Sequence, residues 1–220
     1  WRLADPPVWI AMAFGASVLA CLMWRRAWPA PLLVFAILVW QPWPPPSLTG
    51  ELEMTAIDVG QGDSILVTLP RGEALLVDAG GLVQYGSSVK SNLEIGEDVV
   101  SPYLWSRGLR KLDTVVATHA HQDHIGGLPA ILRNFHPRDL WVGARPSSEL
   151  IAEAQRLGIR VRYPVAGESW EQSGATLHFL TPAGDQPYRK TANNDSLAFQ
   201  ISYGSRSMLL TGDIESEAEA

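Results

Sequence analysis

His119-Ala-His121-Gln-Asp123-His124 places four groups able to ligate a metal within six residues. At this chain's own His and Asp frequencies, such an H-x-H-x-D-H pattern arises by chance with a probability of ~10⁻⁴, so it is a signal rather than background. In an extended segment residues i and i+2 share a face, so His119 and His121 can pinch one cation while a turn into a helix carries Asp123 and His124 to another. The expectation is two divalent metal ions. Imidazole with carboxylate and no thiolate suits zinc or manganese better than calcium. Such a pair activates water near neutral pH and stabilises charge on a phosphoryl or carbonyl oxygen, so the expected reaction class is hydrolysis. The structural alternative is a surface loop whose histidines only hydrogen-bond.

These residues need a frame. Leu112 to Thr118 is an apolar, β-branched run, and GGLPAILRNF after the polar segment has the spacing of a short helix beginning near Gly127, so the candidate ligands sit at a strand's carboxyl end. Upstream, residues 51–58 and 64–70 alternate apolar and polar around Gly60-Gln-Gly62-Asp63, and 74–78 follows the Arg71-Gly72 turn. Downstream come 139–143, an amphipathic helix over 147–157, and strands near 159–163, 175–180, 197–203 and 207–211. This order predicts mixed sheets covered by helices, with the chemistry on strand-end loops. Of the remaining histidines, His136 before Pro137 reads as a helix-terminal partner, and His178 in TLHFL as a satisfied sheet histidine that is also a substitute ligand candidate.

HAHQDH after an apolar strand, preceded by Leu76-Val-Asp78-Ala-Gly80 and followed by Leu209-Leu-Thr-Gly-Asp213, resembles the metallo-β-lactamase superfamily. Asp58-Val-Gly-Gln-Gly-Asp63-Ser64, Asn194-Asp-Ser196 and the hydrophobic amino-terminal segment are more narrowly similar to the ComEC-type competence proteins of bacterial DNA uptake. The resemblance implies an α+β sandwich of αββα type over residues 47–220, with a two-metal site between facing sheets. Carried over by position, His119 and His121 hold one metal, Asp123 and His124 the other, and Asp213 bridges both, with Asp123 and Asp213 as the carboxylates at the reacting centre. Asp78 is implied as a carboxylate that orients the ligand loop; its structural reading is a turn-forming Asp. Asp58 and Asp63 flank a Gly-rich turn that approaches substrate, holds the ligand loop, or is purely structural. Asn194 and Ser196 are candidates for substrate binding. Two departures from the family pattern stand out. The position that usually supplies a further His holds Asn194-Asp-Ser196, and the chain stops seven residues past Asp213, before the family's downstream His, so the catalytic domain is expected to be incomplete.

The first part of the chain has another character. Val8 to Trp24 carries no charge over seventeen residues, just within the length needed to cross a bilayer. A second uncharged stretch, Ala27 to Trp40, is shorter and holds Pro29 and Pro31. Six of the nine tryptophans, Trp1, Trp9, Trp24, Trp28, Trp40 and Trp43, lie in or beside these stretches, as interfacial anchors do. The expectation is one or two membrane helices, with buried globular helices as the alternative; a secretory signal fits poorly, lacking a positive start and a cleavage site. If both cross, Arg25-Arg26 marks a cytoplasmic turn, placing the following domain on the outer side of the bacterial inner membrane. Gln41-Pro-Trp-Pro-Pro-Pro46 is a stiff exit, so residues 1–46 form the expected membrane-associated unit. A chain that begins with Trp is expected to be a piece of something longer.

Charge divides in the same way. Residues 1–50 hold three Arg against one Asp, and residues 51–220 hold 14 Lys and Arg against 22 Asp and Glu. General disorder and a phosphate-coating basic surface are therefore excluded, as is a cysteine-based zinc finger, since Cys21 stands alone. Arg138, Arg145, Arg156, Arg160 and Arg162 follow the metal motif, either as a local basic patch or as a solvated face. The ComEC resemblance implies a membrane-anchored nuclease cutting DNA phosphodiester bonds, with the lipid bilayer and other uptake components as partners. The competing readings are a two-metal hydrolase of a carbonyl substrate, such as a lactone, thioester or β-lactam, and a domain that binds metal or DNA without turnover.

Overall fold

The computed structural model describes residues 8–40, 50–82, 93–181 and 193–215; the proline exit and the domain boundary expected there lie outside them. The chain divides into two compact units, Trp1–Ser47 with Leu104–Leu109, and Leu48–Tyr103 with Arg110–Ala220.

The first unit holds a helical hairpin. Helix α1 (Val8–Met23) leads through a 3-10 turn at Arg25–Ala27 into α2 (Pro29–Trp40). Pro29 and Pro31 do not interrupt the second stretch: they lie in the first turn of α2, where a missing N–H costs nothing. The helices touch, with the rings of Phe14 and Phe35 6.5 Å apart. At 16 and 12 residues, neither is long and apolar enough to cross a membrane, and no described helix is. The expected seventeen-residue span loses Trp24, which leaves the helix for an extended conformation. Both helices nonetheless expose large apolar side chains on several sides, among them Trp9, Leu19, Met23, Leu33 and Phe35.

The second unit packs two sheets face to face. The first has strand order β1-β2-β3-β4-β5-β6, built from Glu53–Ala56, Ile65–Thr68, Ala74–Val77, Thr114–Ala117, Asp139–Val142 and Arg160–Arg162. β1 to β3 pair antiparallel; β3 to β6 run parallel. The second sheet, in order β10-β9-β8-β7, is antiparallel, from Arg206–Leu210, Phe199–Tyr203, Ala175–Phe179 and Ser169–Gln172. Alternate residues explain the core: Leu75, Val77, Val116 and Trp141 meet Leu177, Phe179, Phe199 and Ile201 between the sheets. The residues of opposite parity, Leu66, Leu76, Val115 and Leu140, are buried too, as parallel strands covered on both faces require.

Parallel strands need crossovers, and helices α5 (Leu128–Phe135) and α6 (Ser148–Arg156) supply two of them, with α6 capped by the Ser147 hydroxyl. Same-handed crossovers along a sheet growing in one direction put both helices on one face. The described residues of this unit thus supply three of the four αββα layers, and on the second sheet's outer face Thr176, His178, Gln200 and Ser202 are half-buried. Several elements escaped the sequence reading, among them the one-turn helix Gln122–Ile125. The edge strand β7 has only Trp170 as an apolar residue, a π-helical turn at Gly96–Val100 leads into α3 (Ser101–Ser106), and Asn193–Asp195 forms a 3-10 turn.

Candidate metal centre

Strand β4 ends at Ala117, and the chain then turns through Thr118 to His121, the cap of a one-turn helix α4 (Gln122–Ile125). That turn brings three imidazoles together. His119 Nε2 lies 3.0 Å from His121 Nδ1, and the rings of His119 and His124 are 4.2 Å apart. Asp213, just past β10, brings a carboxylate oxygen to 3.3 Å from His124 Nε2. One ligand atom each from His119, His124 and Asp213 lies within 4.8 Å of the others. His121 joins through His119, whereas Asp123, half-buried, lies outside that three-residue group.

The outer nitrogens are already engaged. His124 Nδ1 meets Asp78 Oδ2 at 2.9 Å, and His119 Nδ1 meets Thr118 Oγ1 at 3.0 Å. The Thr118 hydroxyl donates to Asp78 Oδ2 at 2.5 Å, so it accepts from His119 Nδ1–H. This network places a proton on each outer nitrogen and turns each Nε2 toward the cluster. The donor set fits a divalent cation that takes the place of the His124 Nε2 proton: imidazoles facing a carboxylate, oriented from behind by groups that are not ligands.

Asp78 anchors this arrangement. It is fully buried, adopts a left-handed φ of 55°, and also accepts the Thr118 backbone N–H at 2.9 Å. Burial pushes its carboxyl up, against the pull of His124 and Thr118. Burial and the neighbouring His124 and His121 push His119 down to about 4, so it is neutral at pH 7 and ready to ligate. His124 goes the other way: burial opposes its charge, but the bond to Asp78 and the fields of Asp78, Asp213 and Asp63 raise it to about 9.

The Gly-rich turn packs against the ligand loop. Gly62 has φ +69°, and a Cβ there would lie 1.8 Å from the Asp123 carbonyl oxygen. Only a glycine permits this approach. Asp58 accepts from the Gly60 N–H at 3.1 Å, closing the turn, and Asp63 accepts through its backbone oxygen from Gly80 N–H at 2.9 Å.

The Asn193–Asp195 turn flanks the centre. Leu197 N–H donates to the Thr118 carbonyl at 2.8 Å, and Asn194 Oδ1 accepts from Glu215 N–H at 2.9 Å. Asn194 Nδ2 and Ser196 Oγ are buried with no partner among the described residues. A Cβ on Gly212, beside Asp213, would come within 3.0 Å of Ser196 Oγ. Sequence reading missed Thr118, whose four polar contacts tie this site together, and the ion pair between Arg145 and buried Asp195 beside it. His178 does not join the cluster: on β8 it bonds Ser169 at 2.8 Å. His136 ends α5 with a left-handed φ of 42°.

A sheet-ended His and Asp cluster of this kind defines a class, and the comparisons agree with it. The Metallo-beta-lactamase superfamily model matches residues 57–219, and the chain belongs to that superfamily. Within it, the chain is similar to ComE operon protein 3 of Bacillus subtilis, 34% identical over 185 residues, covering 79% of this chain and 24% of that protein. Recombination protein 2 of Haemophilus influenzae is 30% identical over 190 residues, covering 86% of this chain and 21% of that protein. A Ribonuclease J of Mycolicibacterium smegmatis is 32% identical over 119 residues, covering 51% of this chain and 20% of that protein. The ComEC-type resemblance read from the motifs is thus borne out, and the chain spans about a quarter of the competence relatives' length.

Proposed function

We propose that this chain is part of a membrane-anchored, metal-dependent nuclease of bacterial DNA uptake, with DNA as substrate. The observation that carries the reading is the convergence of His119, His121, His124 and Asp213, with the outer nitrogens of His119 and His124 held by Thr118 and Asp78. In this reading two divalent ions, zinc or manganese, would be held by these four residues together with Asp123. Such ions would activate water near neutral pH and offset charge on a phosphoryl oxygen. The chain's own residues do the rest. Asp78 and Thr118 keep the imidazoles in the ligating tautomer, and Asn194 and Ser196, both buried, stand behind the ligand loop. Similarity to competence proteins and to a Ribonuclease J supports polynucleotide chemistry over carbonyl hydrolysis.

The anchoring part of the proposal rests on the hairpin. A helix apolar all round belongs in a protein core or in lipid, and α1 and α2 leave Trp9, Leu19, Leu22, Leu32 and Leu33 exposed. Arg25 and Arg26 at the turn then face the cytoplasm, with the metal-binding domain on the outer side.

The test is cleavage of single-stranded DNA, duplex DNA and ester substrates by the protein with Mn²⁺ or Zn²⁺, beside His121→Ala. Metal-dependent DNA cleavage lost in the variant supports the reading. Bound metal with ester turnover alone, or with no turnover, overturns it.

A further inference from the structure

A second polar site lies at the other end of the same sheet. Asp139, the first residue of β5, is buried, and three arginines converge on it. Arg160 bonds it through Nε and Nη2 at 2.5 and 3.0 Å, while Arg138 and Arg162 each use only Nε, at 3.2 Å. The Nη groups of Arg138 and Arg162 have no partner among the described residues, and these side chains are 54% and 39% exposed. One buried carboxylate thus aims guanidinium forks outward. They line a cavity of about 400 Å³ with Trp141, Trp170 and Ser173. Trp141 Nε1 and Ser173 Oγ are buried there without a partner among the described residues. Arg162 lies over the Trp170 ring at 5.4 Å, a planar cationic surface of the kind on which bases stack.

The cavity is not part of the metal centre. Asp139 sits at the amino end of β5, and Gly143, which packs on Thr118 behind the ligand loop, lies past its carboxyl end, about 13 Å away along the strand. The other charged lining residues, Glu73 and Glu171, accept from Gln172 at 2.9 Å and Thr176 at 2.7 Å. Three guanidinium groups against three carboxylates give no net charge, so the ligand is held by oriented donors at contact range.

We propose that this cavity binds a phosphodiester segment of single-stranded nucleic acid, with Arg138 and Arg162 forking the phosphate and the Arg162–Trp170 stack receiving a base. The choice of polymer rests on the nuclease reading; the preference for a phosphate rests on the forks.

The experiment uses the full chain in detergent, with EDTA present, and follows the anisotropy of a labelled phosphorothioate oligothymidylate across a salt series. Arg138→Gln/Arg162→Gln leaves Arg160 doubly bonded to Asp139, and its melting temperature reports folding. Its Kd is expected to rise about tenfold, and the slope of log K against log salt to fall by about two. Arg138→Lys/Arg162→Lys keeps the charge and loses the forks, so a several-fold weaker Kd with an unchanged slope is expected. Failure of the unmodified protein to bind, or unchanged affinity in a folded Gln variant, overturns the proposal. If the Gln variant unfolds, unchanged affinity in the Lys variant does so. In the same assay His121→Ala binds as the unmodified protein does, while in the separate cleavage assay with Mn²⁺ or Zn²⁺ its activity is lost. Oligonucleotide held through Arg138 and Arg162 by a protein that never cuts would overturn the nuclease reading and leave this site standing.

Discussion

Thr118 gives Asp78 both of its donors, the backbone N–H at 2.9 Å and the hydroxyl at 2.5 Å, and the hydroxyl oxygen then receives His119. One threonine thereby couples the end of β3 to the ligand loop after β4. Thr118→Val preserves shape and removes the relay, orphaning His119 Nδ1–H in a buried place. A loss of about 1–3 kcal/mol in stability and about tenfold in zinc affinity is expected, with Thr118→Ser restoring most of both. Chemical denaturation and competitive zinc titration measure the pair of effects.

Asp78→Asn tests the carboxylate itself. Asparagine tolerates the left-handed φ of 55°. Its amide places a donor against donors from Thr118 or His124, so one of them loses its acceptor. Zinc affinity is expected to fall 10- to 100-fold in a protein that still folds. Asp78→Ala adds backbone strain and leaves the partners bare, and its melting temperature should drop further than that of the Asn variant.

Much of this was legible in the sequence. The spacing of His119, His121 and His124 after an apolar run located the ligand loop at a strand end, because side-chain periodicity is local. Asp213 was visible through its Leu-Leu-Thr-Gly-Asp setting. Thr118 was not, since a threonine closing a β-branched run reads as one more strand residue, and its role depends on Asp78, forty positions away. The Arg145–Asp195 pair and the meeting of three arginines at Asp139 are likewise products of strand order, which no local pattern encodes. The strands were found to within a few residues except β7, whose Ser-Trp-Glu-Gln offers one apolar side chain to read.

Two glycines in the same turn should behave differently. At Gly62 an added Cβ would strike the Asp123 carbonyl oxygen at 1.8 Å, whereas at Gly60, with φ +80°, it would meet nothing within 4 Å. Gly60→Ala is expected to cost only the conformational strain, about 1–2 kcal/mol. Gly62→Ala must also displace the ligand loop, and should lower metal affinity at least tenfold where Gly60→Ala leaves it unchanged. Thermal melts and metal titration of the two variants check this.

Acid stability should carry the signature of Asp139. Burial works to raise its carboxyl, but Arg160 and Arg138, with Arg162, hold it below the usual range. A depressed folded value means that its stabilisation is complete above the ordinary carboxylate pKa of about 4 and is lost as pH falls through the folded value. Urea unfolding from pH 6 to pH 2 is expected to show this decline, and Asp139→Asn to be less stable at pH 6 with a shallower slope below pH 4.

The central claim is that His119, His121, His124 and Asp213 grip metal. X-ray absorption at the zinc edge of the metal-loaded protein tests it most directly. The expected spectrum shows imidazole scattering from nitrogens at about 2.0–2.1 Å, reduced by His121→Ala and by His124→Ala. Zinc coordinated by water alone, or an imidazole signal unchanged in both variants, would contradict it.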